Sequence, residues 1–315
     1  MSKISTFIQL CRQRSGIGRA LISNFSHCAL SHGVPDKLYL KLQYRLMMGK
    51  RLDLKHPKEF NAKLQWLKLY DRNPEYMRLV DKYEVKRYIA DKIGAQYVIP
   101  TLGVWDRVED ISFDALPNSF VLKCTHDSGS TIICKDKSTF DVEGAKARLQ
   151  SRLRGNLFWH GREWPYKALK PRVIAEQYMI DAATAELRDY KFFCFNGVCR
   201  CLKVDFDRFV DHHANYYDPQ GNRLDFGEAV CPPNKDKNIV LPHSLKKMIA
   251  LAETLSKDVP FLRVDFYEVN GRIYFGELTF FPASGFGPFV PEEADYKLGE
   301  WLALPEKKRV FNGGN

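Results

Sequence analysis

The sequence predicts an α+β fold on three observations. Apolar residues recur at helical intervals before Gly94, short runs of branched and aromatic residues follow Tyr97, and two apolar runs face each other across Asn270-Gly271. In the first stretch, Leu38, Leu40, Leu42, Tyr44 and Leu46, then Phe60, Leu64, Leu67 and Leu69, then Met77, Val80, Tyr83, Val85 and Ile89 give three or four helices. Pro57, Pro74 and Gly94 fall where those helices start or stop. Strands are expected at 98–99, 103–105, 120–124 and 131–135, a helix over 140–157, and a further strand at 173–179. Antiparallel strands over 191–204 and 215–217, a helix over 243–255 and two strands within 261–281 complete the pattern. No internal repeat or low-complexity linker separates these pieces, so any subdomain borders are tight.

Composition excludes several classes. A chain of 315 residues that is 45% hydrophobic and 13% aromatic can bury a core, which rules out collagen-like and wholly disordered readings. No apolar run reaches the roughly 18 residues of a spanning helix, and the first 25 residues lack a compact apolar leader, so neither secretion nor a transmembrane anchor is expected. The eight cysteines, at 11, 28, 124, 134, 194, 199, 201 and 231, show no paired ligand spacing and read as reduced cytoplasmic thiols. Cys194, Cys199 and Cys201 sit in an apolar run as core residues, and His212-His213 reads as a loop pair.

The formal net charge is +10, and residues 1–60 hold eleven Lys/Arg against three acids, so this opening fifth carries most of the excess. Within residues 1–34, Phe7, Ile8, Leu10, Cys11, Ile17, Leu21 and Ile22 alternate with Lys3, Arg12, Arg14 and Arg19, the pattern of a short amphipathic arm. Such an arm suits an anionic membrane surface or an acidic glycan; zinc-finger spacing and RNA-binding aromatic motifs are missing, so nucleic acid is not expected as a partner. The localisation that follows is cytoplasmic, with contact to the inner membrane face through the arm.

The most informative segment runs from 261 to 282. A two-residue turn at Asn270-Gly271 would place Asp265 and Glu277 on opposite faces, because side chains alternate along a strand. A three-residue loop 269–271 with Gly271 in a bulge would instead pair Glu268 with Arg272 and Arg263 with Glu277. One face would then carry Arg263, Asp265, Tyr267, Phe275, Glu277 and Thr279, with Asp265 and Glu277 as diagonal neighbours roughly 7 to 8 Å apart at the backbone. Two carboxylates so placed can share one Mg²⁺, whose oxygen ligands lie about 2.1 Å away. A second constellation is Lys123 at the end of a strand, the loop Asp127, Ser128, Gly129 and Ser130, and a return strand to Lys135. Backbone N–H groups and hydroxyls in such a loop suit phosphates, with lysine neutralising charge.

These residues carry a family resemblance. Asp81-Lys82, Lys123 with its Ser128-Gly129-Ser130 loop, Glu176-Gln177-Tyr178-Met179, Arg263-x-Asp265 and Glu277-x-Thr279, in that order, resemble the ATP-grasp fold. The segments 60–66, 69–74, 162–167 and 189–192 are similar to its TupA-like branch, associated with teichuronopeptide and polysaccharide assembly, and the likeness covers roughly residues 35–303. The resemblance implies two α+β subdomains clasping a nucleotide, with a helical N-terminal region over 35–116, a lid subdomain over 117–178, a C-terminal subdomain with the Mg²⁺ site over 179–303, and a tail over 304–315. It implies that Lys82, Lys123 and the 127–130 loop contact the phosphates of ATP, and that Glu176, Gln177 and Met179 hold adenine through backbone groups. Asp265, Glu277 and Thr279 would bind Mg²⁺, Thr279 standing where ATP-grasp enzymes usually have Asn, and Lys191 and Arg263 would serve as catalytic cations.

The reaction implied is ATP-dependent ligation. A substrate carboxylate takes the γ-phosphoryl group to give an acyl phosphate and ADP, and an amine then displaces phosphate. In the family context the acid is a uronic acid or peptide carboxylate and the amine an amino acid or amino sugar, in capsule or cell-envelope polysaccharide biosynthesis. Arg162, Lys167, Lys170, Arg172, Arg200, Lys203 and Arg208 are candidate contacts to an acidic glycan. Two rivals stay open at this point: a metal-dependent glycosyltransferase using the same acids on a nucleotide sugar, and a non-catalytic basic scaffold.

Overall fold

A computed structural model describes residues 16–18, 20–21, 26, 29–181, 187–206 and 211–306. The expectations for residues 1–15, for Arg19, Ile22, Cys28 and Arg208 and for most of the tail lie outside these. No helix among the described residues is long and apolar enough to cross a membrane.

A single turn, α1 (Ala29–His32), leads into α2 (Asp36–Met48), which begins after Pro35 and ends at Gly49, whose positive φ of 75° lets its N–H return to the Arg45 carbonyl. The buried face of α2 is Tyr39, Leu40, Gln43, Tyr44 and Met47. This corrects the sequence reading: Leu38 and Leu42 are exposed, because alternation at two residues cannot lie on one face of a 3.6-residue helix. α3 (Phe60–Tyr70), α4 (Glu75–Val80) and α5 (Glu84–Lys92) follow, with Pro74 immediately preceding α4 and Gly94 two residues past α5.

The strands form two principal antiparallel sheets. The smaller contains β1 (Thr101–Trp105), β2 (Phe120–Cys124), β3 (Ile132–Cys134) and β4 (Val173–Gln177) in the order β1-β4-β2-β3. Its core is Phe120, Leu122, Cys124, Val173 and Ala175, onto which α6 (Val142–Leu153) packs Leu149. After α6 come the short α7 (Phe158–Gly161) and β5 (Asp189–Phe195), β6 (Val198–Phe206) and β7 (His213–Tyr217). These join β9 (Phe261–Val269) and β10 (Arg272–Thr279) in the order β10-β9-β5-β6-β7. A minor pair, β8 (Gly227–Glu228) and β11 (Phe289–Val290), flanks it.

One face of the five-stranded sheet is mainly apolar, with Phe192, Val204, Leu202, Val264 and Phe266 packing on α8 (Leu245–Ser256) and Glu268 accepting the Ser244 N–H at 3.0 Å. The other face is divided. At one end, Phe60 of α3 meets Phe195, Phe261 and Phe289 at centroid distances of 5.6, 4.8 and 6.3 Å, an aromatic cluster that joins helices to sheet. At the other end the same face carries charge. α3 is held in place from its far side by α9 (Glu293–Trp301), where Asp295 accepts the Asn61 N–H at 2.9 Å. Cys194, Cys199 and Cys201 are buried in this apolar body.

Several residues expected at a glycan-facing surface are structural. Arg162 is 1% exposed, which decides the matter: its guanidinium lies over Tyr39 and Trp159 at 4.2 and 4.7 Å and donates to the Ser31 carbonyl at 2.6 Å. Arg172 pairs with Asp81 and Glu84 and buried Lys203 with Glu228, whereas Lys170 stays at the surface in an exposed pair with Asp106.

Candidate active site

The β9–β10 hairpin corrects the expected register while preserving its consequence. The turn is the two-residue Asn270-Gly271, both at positive φ, and Val269 pairs with Arg272. The extra residue sits further in, at Gly276, where the register shifts between Phe275 and Glu277. That bulge restores parity, so Glu277 stands directly opposite Asp265, and Thr279 opposite Arg263. Phe275, expected on the charged face, pairs instead with Phe266 on the apolar side. A side chain at 276 would meet the Tyr267 ring at 3.1 Å and the Asp265 carbonyl at 3.2 Å, which accounts for glycine there.

From β10 inward, the charges form one connected row. Arg263 grips both oxygens of Asp265 at 2.7 Å and donates to Glu277 Oε1 at 2.5 Å, while the Thr279 hydroxyl donates to that same oxygen at 3.1 Å. Lys191, directly opposite Asp265 on β5, lies 2.6 Å from Asp189, 3.2 Å from Asp265 and 3.5 Å from Asp205. Lys203 continues the row with Glu228 at 2.8 Å and Asp205 at 3.5 Å. Among the described residues the row thus joins Asp189, Asp205, Glu228, Asp265 and Glu277 to Arg263, Lys191 and Lys203.

Within the row the two central acids differ. Burial pushes the Asp265 carboxyl up to about 6, against the pull of Arg263 and Lys191. Burial also opposes the Glu277 charge, yet Arg263, Lys191 and Lys82 outweigh it and hold this carboxyl below its ordinary value. Asp265 is enclosed, whereas the Glu277 side chain is 46% exposed, so Glu277 alone of the two offers an oxygen to an incoming ligand without rearrangement.

Glu277, Thr279 and Arg263 line a cleft of about 270 Å³ together with Lys82, Asp127, Ser128, Glu163, Tyr166 and Ser284. Lys82 enters from the segment between α4 and α5, anchored by its N–H to the Thr125 carbonyl at 3.0 Å, and its ammonium donates to the Asp127 carbonyl. Burial lowers the Lys82 pKa, with Glu277 opposing the shift. The loop after β2 is internally braced. Ser130 Oγ donates to Asp127 Oδ1 at 2.6 Å and accepts the Cys124 N–H at 2.8 Å, while Gly129 adopts a φ of 83°. Arg152 of α6 donates to the Ser128 carbonyl at 2.8 Å and pairs with Asp127 at 3.3 Å.

The remaining sequence candidates do not line this cleft. Lys123 of β2 is ion-paired with Glu176 of β4 at 2.5 Å, and Lys86 of α5 meets the other Glu176 oxygen at 2.6 Å. These two cations outweigh the cost of burial and hold the Glu176 carboxyl below its ordinary value. Glu176 and Gln177 belong to an interior strand, and the Gln177 N–H is donated to the Pro100 carbonyl at 3.0 Å, so that amide is engaged within the fold. Met179 packs with Ile99, Val269, Tyr267 and Tyr274. Lys191 is buried in the sheet row rather than at the cleft surface. Sequence reading missed Arg152, Lys86, Glu163 and Tyr166; the four-residue spacing of Arg148 and Arg152 on one helix face was the available signal for the first, since Arg148 also reaches the Gly129 carbonyl at 3.4 Å.

Two antiparallel sheets with a braced loop on one, an acid-rich hairpin on the other and lysine between them are the marks of an ATP-grasp protein. The sequence matches the TupA-like ATPgrasp family over residues 62–303, and the chain belongs to that family. The match begins later than the expected residue 35, leaving α2 outside it. A search of curated proteins finds no match. Among solved structures the chain is similar to D-alanine–D-alanine ligase from Bacillus anthracis complexed with ATP, at 17% identity over 64% of this chain and 54% of that one, with a TM-score of 0.37. It is also similar to D-cycloserine synthetase DcsG (18% identity, 73% and 72% covered, TM-score 0.40) and to D-alanine–D-alanine ligase from Helicobacter pylori (16%, 78% and 70%, 0.39). The chain therefore spans little more than half the length of the Bacillus anthracis enzyme.

Proposed function

We propose that this ATP-grasp enzyme joins a carboxylate to an amine at the expense of ATP, through an acyl phosphate, at the cleft between the β2–β3 loop and the β9–β10 hairpin. The observation that carries the reading is the convergence of Lys82, Ser128, Arg263 and half-open Glu277 on one space. A triphosphate needs cations and N–H donors on one side and a carboxylate-bound divalent ion on the other. The donor set fits this. Glu277 presents an open carboxylate oxygen, with Thr279 donating to its other oxygen, and would hold the divalent ion; Asp265, both of whose oxygens are gripped by Arg263, would join it only on release from that pair.

Bound Mg-ATP supplies the transferable phosphoryl group; the chain's own part is placement and charge neutralisation. Lys82 and the Ser128 loop hold phosphate oxygens, and Arg263 balances charge on the reacting carboxylate. Tyr178 and Met179, beyond the paired part of β4, offer backbone groups to a base, while Lys123 acts through its pair with Glu176. Lys191 acts as a positioning residue, holding Asp265 from behind. The narrower reading places the substrates in bacterial surface polysaccharide assembly, a uronic acid or peptide carboxylate with an amino acid or amino sugar; the TupA-like resemblance and the net charge of +10 support it.

The test is to incubate the protein with Mg-ATP, hydroxylamine and a panel of uronic acids and acidic peptides. A hydroxamate formed with stoichiometric ADP supports the ligase. ATP binding with no hydroxamate across the panel counts against amide formation.

A further inference from the structure

Beyond the cleft, the far end of the charged row terminates in a second cluster. Asp205, the last acid of β6 on this face, lies 2.9 Å from Nε2 of His212, and Cys231 Sγ lies 3.2 Å from Nδ1 of the same ring. Asp205 is 2% exposed at its side chain and His212 37%, so a buried carboxylate stands behind an accessible imidazole and a partly exposed thiol. Cys231 is fixed by a β-bridge to Glu228, whose carboxylate binds Lys203 at 2.8 Å and the Tyr216 hydroxyl at 2.8 Å. Lys203 and Lys191 both lie 3.5 Å from Asp205. Sequence reading placed His212 in a plain loop pair and left Cys231 without a role, because 205, 212 and 231 come together only through the β6–β7 fold.

The three groups have ligand atoms within 4.8 Å of one another, which would also suit a cation. The ring geometry argues otherwise. A single ion takes one imidazole nitrogen, whereas here thiol and carboxylate sit on different nitrogens, with the ring between them. Nucleophile, base and orienting acid in sequence are the arrangement that activates a cysteine.

We propose that Cys231, His212 and Asp205 form a second reactive centre in which Cys231 is a nucleophilic thiol that accepts an activated acyl group. Asp205 accepts the Nε2 proton and fixes the tautomer, and Nδ1 takes the thiol proton. Sγ then forms a bond to the acyl carbon, the bond from that carbon to its leaving oxygen breaks with the electron pair going to oxygen, and Nδ1–H returns the proton to it. The product is a thioester on Cys231, which an amine can later cleave: its nitrogen bonds to the acyl carbon and gives a proton to Nδ1, the C–S bond breaks with its electron pair going to sulfur, and Nδ1–H returns the proton to Sγ. This centre is independent of the ATP cleft.

The test uses the full chain with iodoacetamide and with p-nitrophenyl acetate, each followed by peptide mapping. Cys231 is expected to alkylate at pH 7 about tenfold faster in the wild type than in His212→Gln. His212→Gln should lower acetylation by about 10²-fold, the range of a lost general base, while Cys231→Ser abolishes the acetyl adduct. Asp205, Lys191 and Lys203 from the sheet, Glu228 across the bridge, and Asp211 and His213 beside the ring all face this group, so the pH profile is read as the difference between the wild type and His212→Gln. Unchanged thermal midpoints in both variants separate chemistry from misfolding; if His212→Gln unfolds, His212→Asn replaces it. Equal rates with and without the imidazole overturn the proposal. So does one equivalent of Zn²⁺ that binds the wild type, but not Cys231→Ser, and blocks alkylation, since the cluster is then a metal site.

Discussion

The two sheets both bury clusters of opposite charge, and the clusters are built differently. In the four-stranded sheet, Glu176 is enclosed by Lys123 and Lys86, two cations on one acid, and both its oxygens are engaged. In the five-stranded sheet the charged row ends, on the cleft side, at a carboxylate that is half open to solvent. The first cluster is closed on itself; the second leaves a carboxylate open at the cleft, where the proposed divalent ion would bind. Buried ion pairs are poor sources of stability on their own, so the contrast lies in what each leaves unsatisfied.

The contrast is most sharply tested at Arg263, which touches both acids of the open cluster. Arg263→Met strands Asp265 without its fork and should cost about 3–5 kcal/mol, the price of breaking a buried pair from one side; urea unfolding reads it, and added Mg²⁺ should recover part of the loss. A stability equal to wild type would mean that the row is not an electrostatic unit. Next comes Glu277→Gln, which keeps the fold and removes the open ligand. ADP formation should fall about 10²–10³-fold, as when one electrostatic stabiliser is lost, with the thermal midpoint barely moved. Retained turnover would transfer the metal role elsewhere.

In the closed cluster, Glu176→Gln should cost about 1.5–3 kcal/mol at neutral pH, the range of hydrogen bonds to charged groups. Because the folded-state pKa of Glu176 is depressed, its contribution is fully present above its ordinary value of 4.5 and is lost as pH falls through the lower folded value. The wild type and the Gln variant should therefore converge in stability in acid and separate towards neutrality; parallel curves would break the assignment. The smallest effect belongs to Arg152→Ala. It removes a hydrogen bond to the Ser128 carbonyl from a side chain that is 43% exposed, so stability should change by no more than about 1 kcal/mol. The apparent ATP affinity should drop a few-fold, measured by nucleotide titration.

What could be read from the sequence follows the range of the interactions involved. The Asn270-Gly271 turn is local, and the residue pair names it. The bulge at Gly276 is not, since its need arises from the Tyr267 ring and the Asp265 carbonyl across the hairpin. The order of motifs placed the chain in its family, yet Lys123 and Glu176, read separately as phosphate and adenine contacts, proved to be partners of each other. Arg162 looked like a surface cation because its aromatic cage is closed by Tyr39, more than a hundred residues earlier, over the local Trp159. Cys231 and His212 belong to the same class: their meeting depends on the return of β7 alongside β6.

The Gly276 bulge separates the hairpin into two parts that answer to different constraints. Below it, the alignment of Glu277 with Asp265 is fixed by the sheet; above it, the tip around Asn270 keeps its own pairing. Deleting residue 276 would thread every side chain from 277 to 279 through to the opposite surface, driving Glu277 into the apolar layer and Leu278 out of it. Lengthening the tip by matched residues on both strands would leave the acids where they are, so this ribbon can accept a tag, a probe or a grafted loop at its end without disturbing the chemistry at its base.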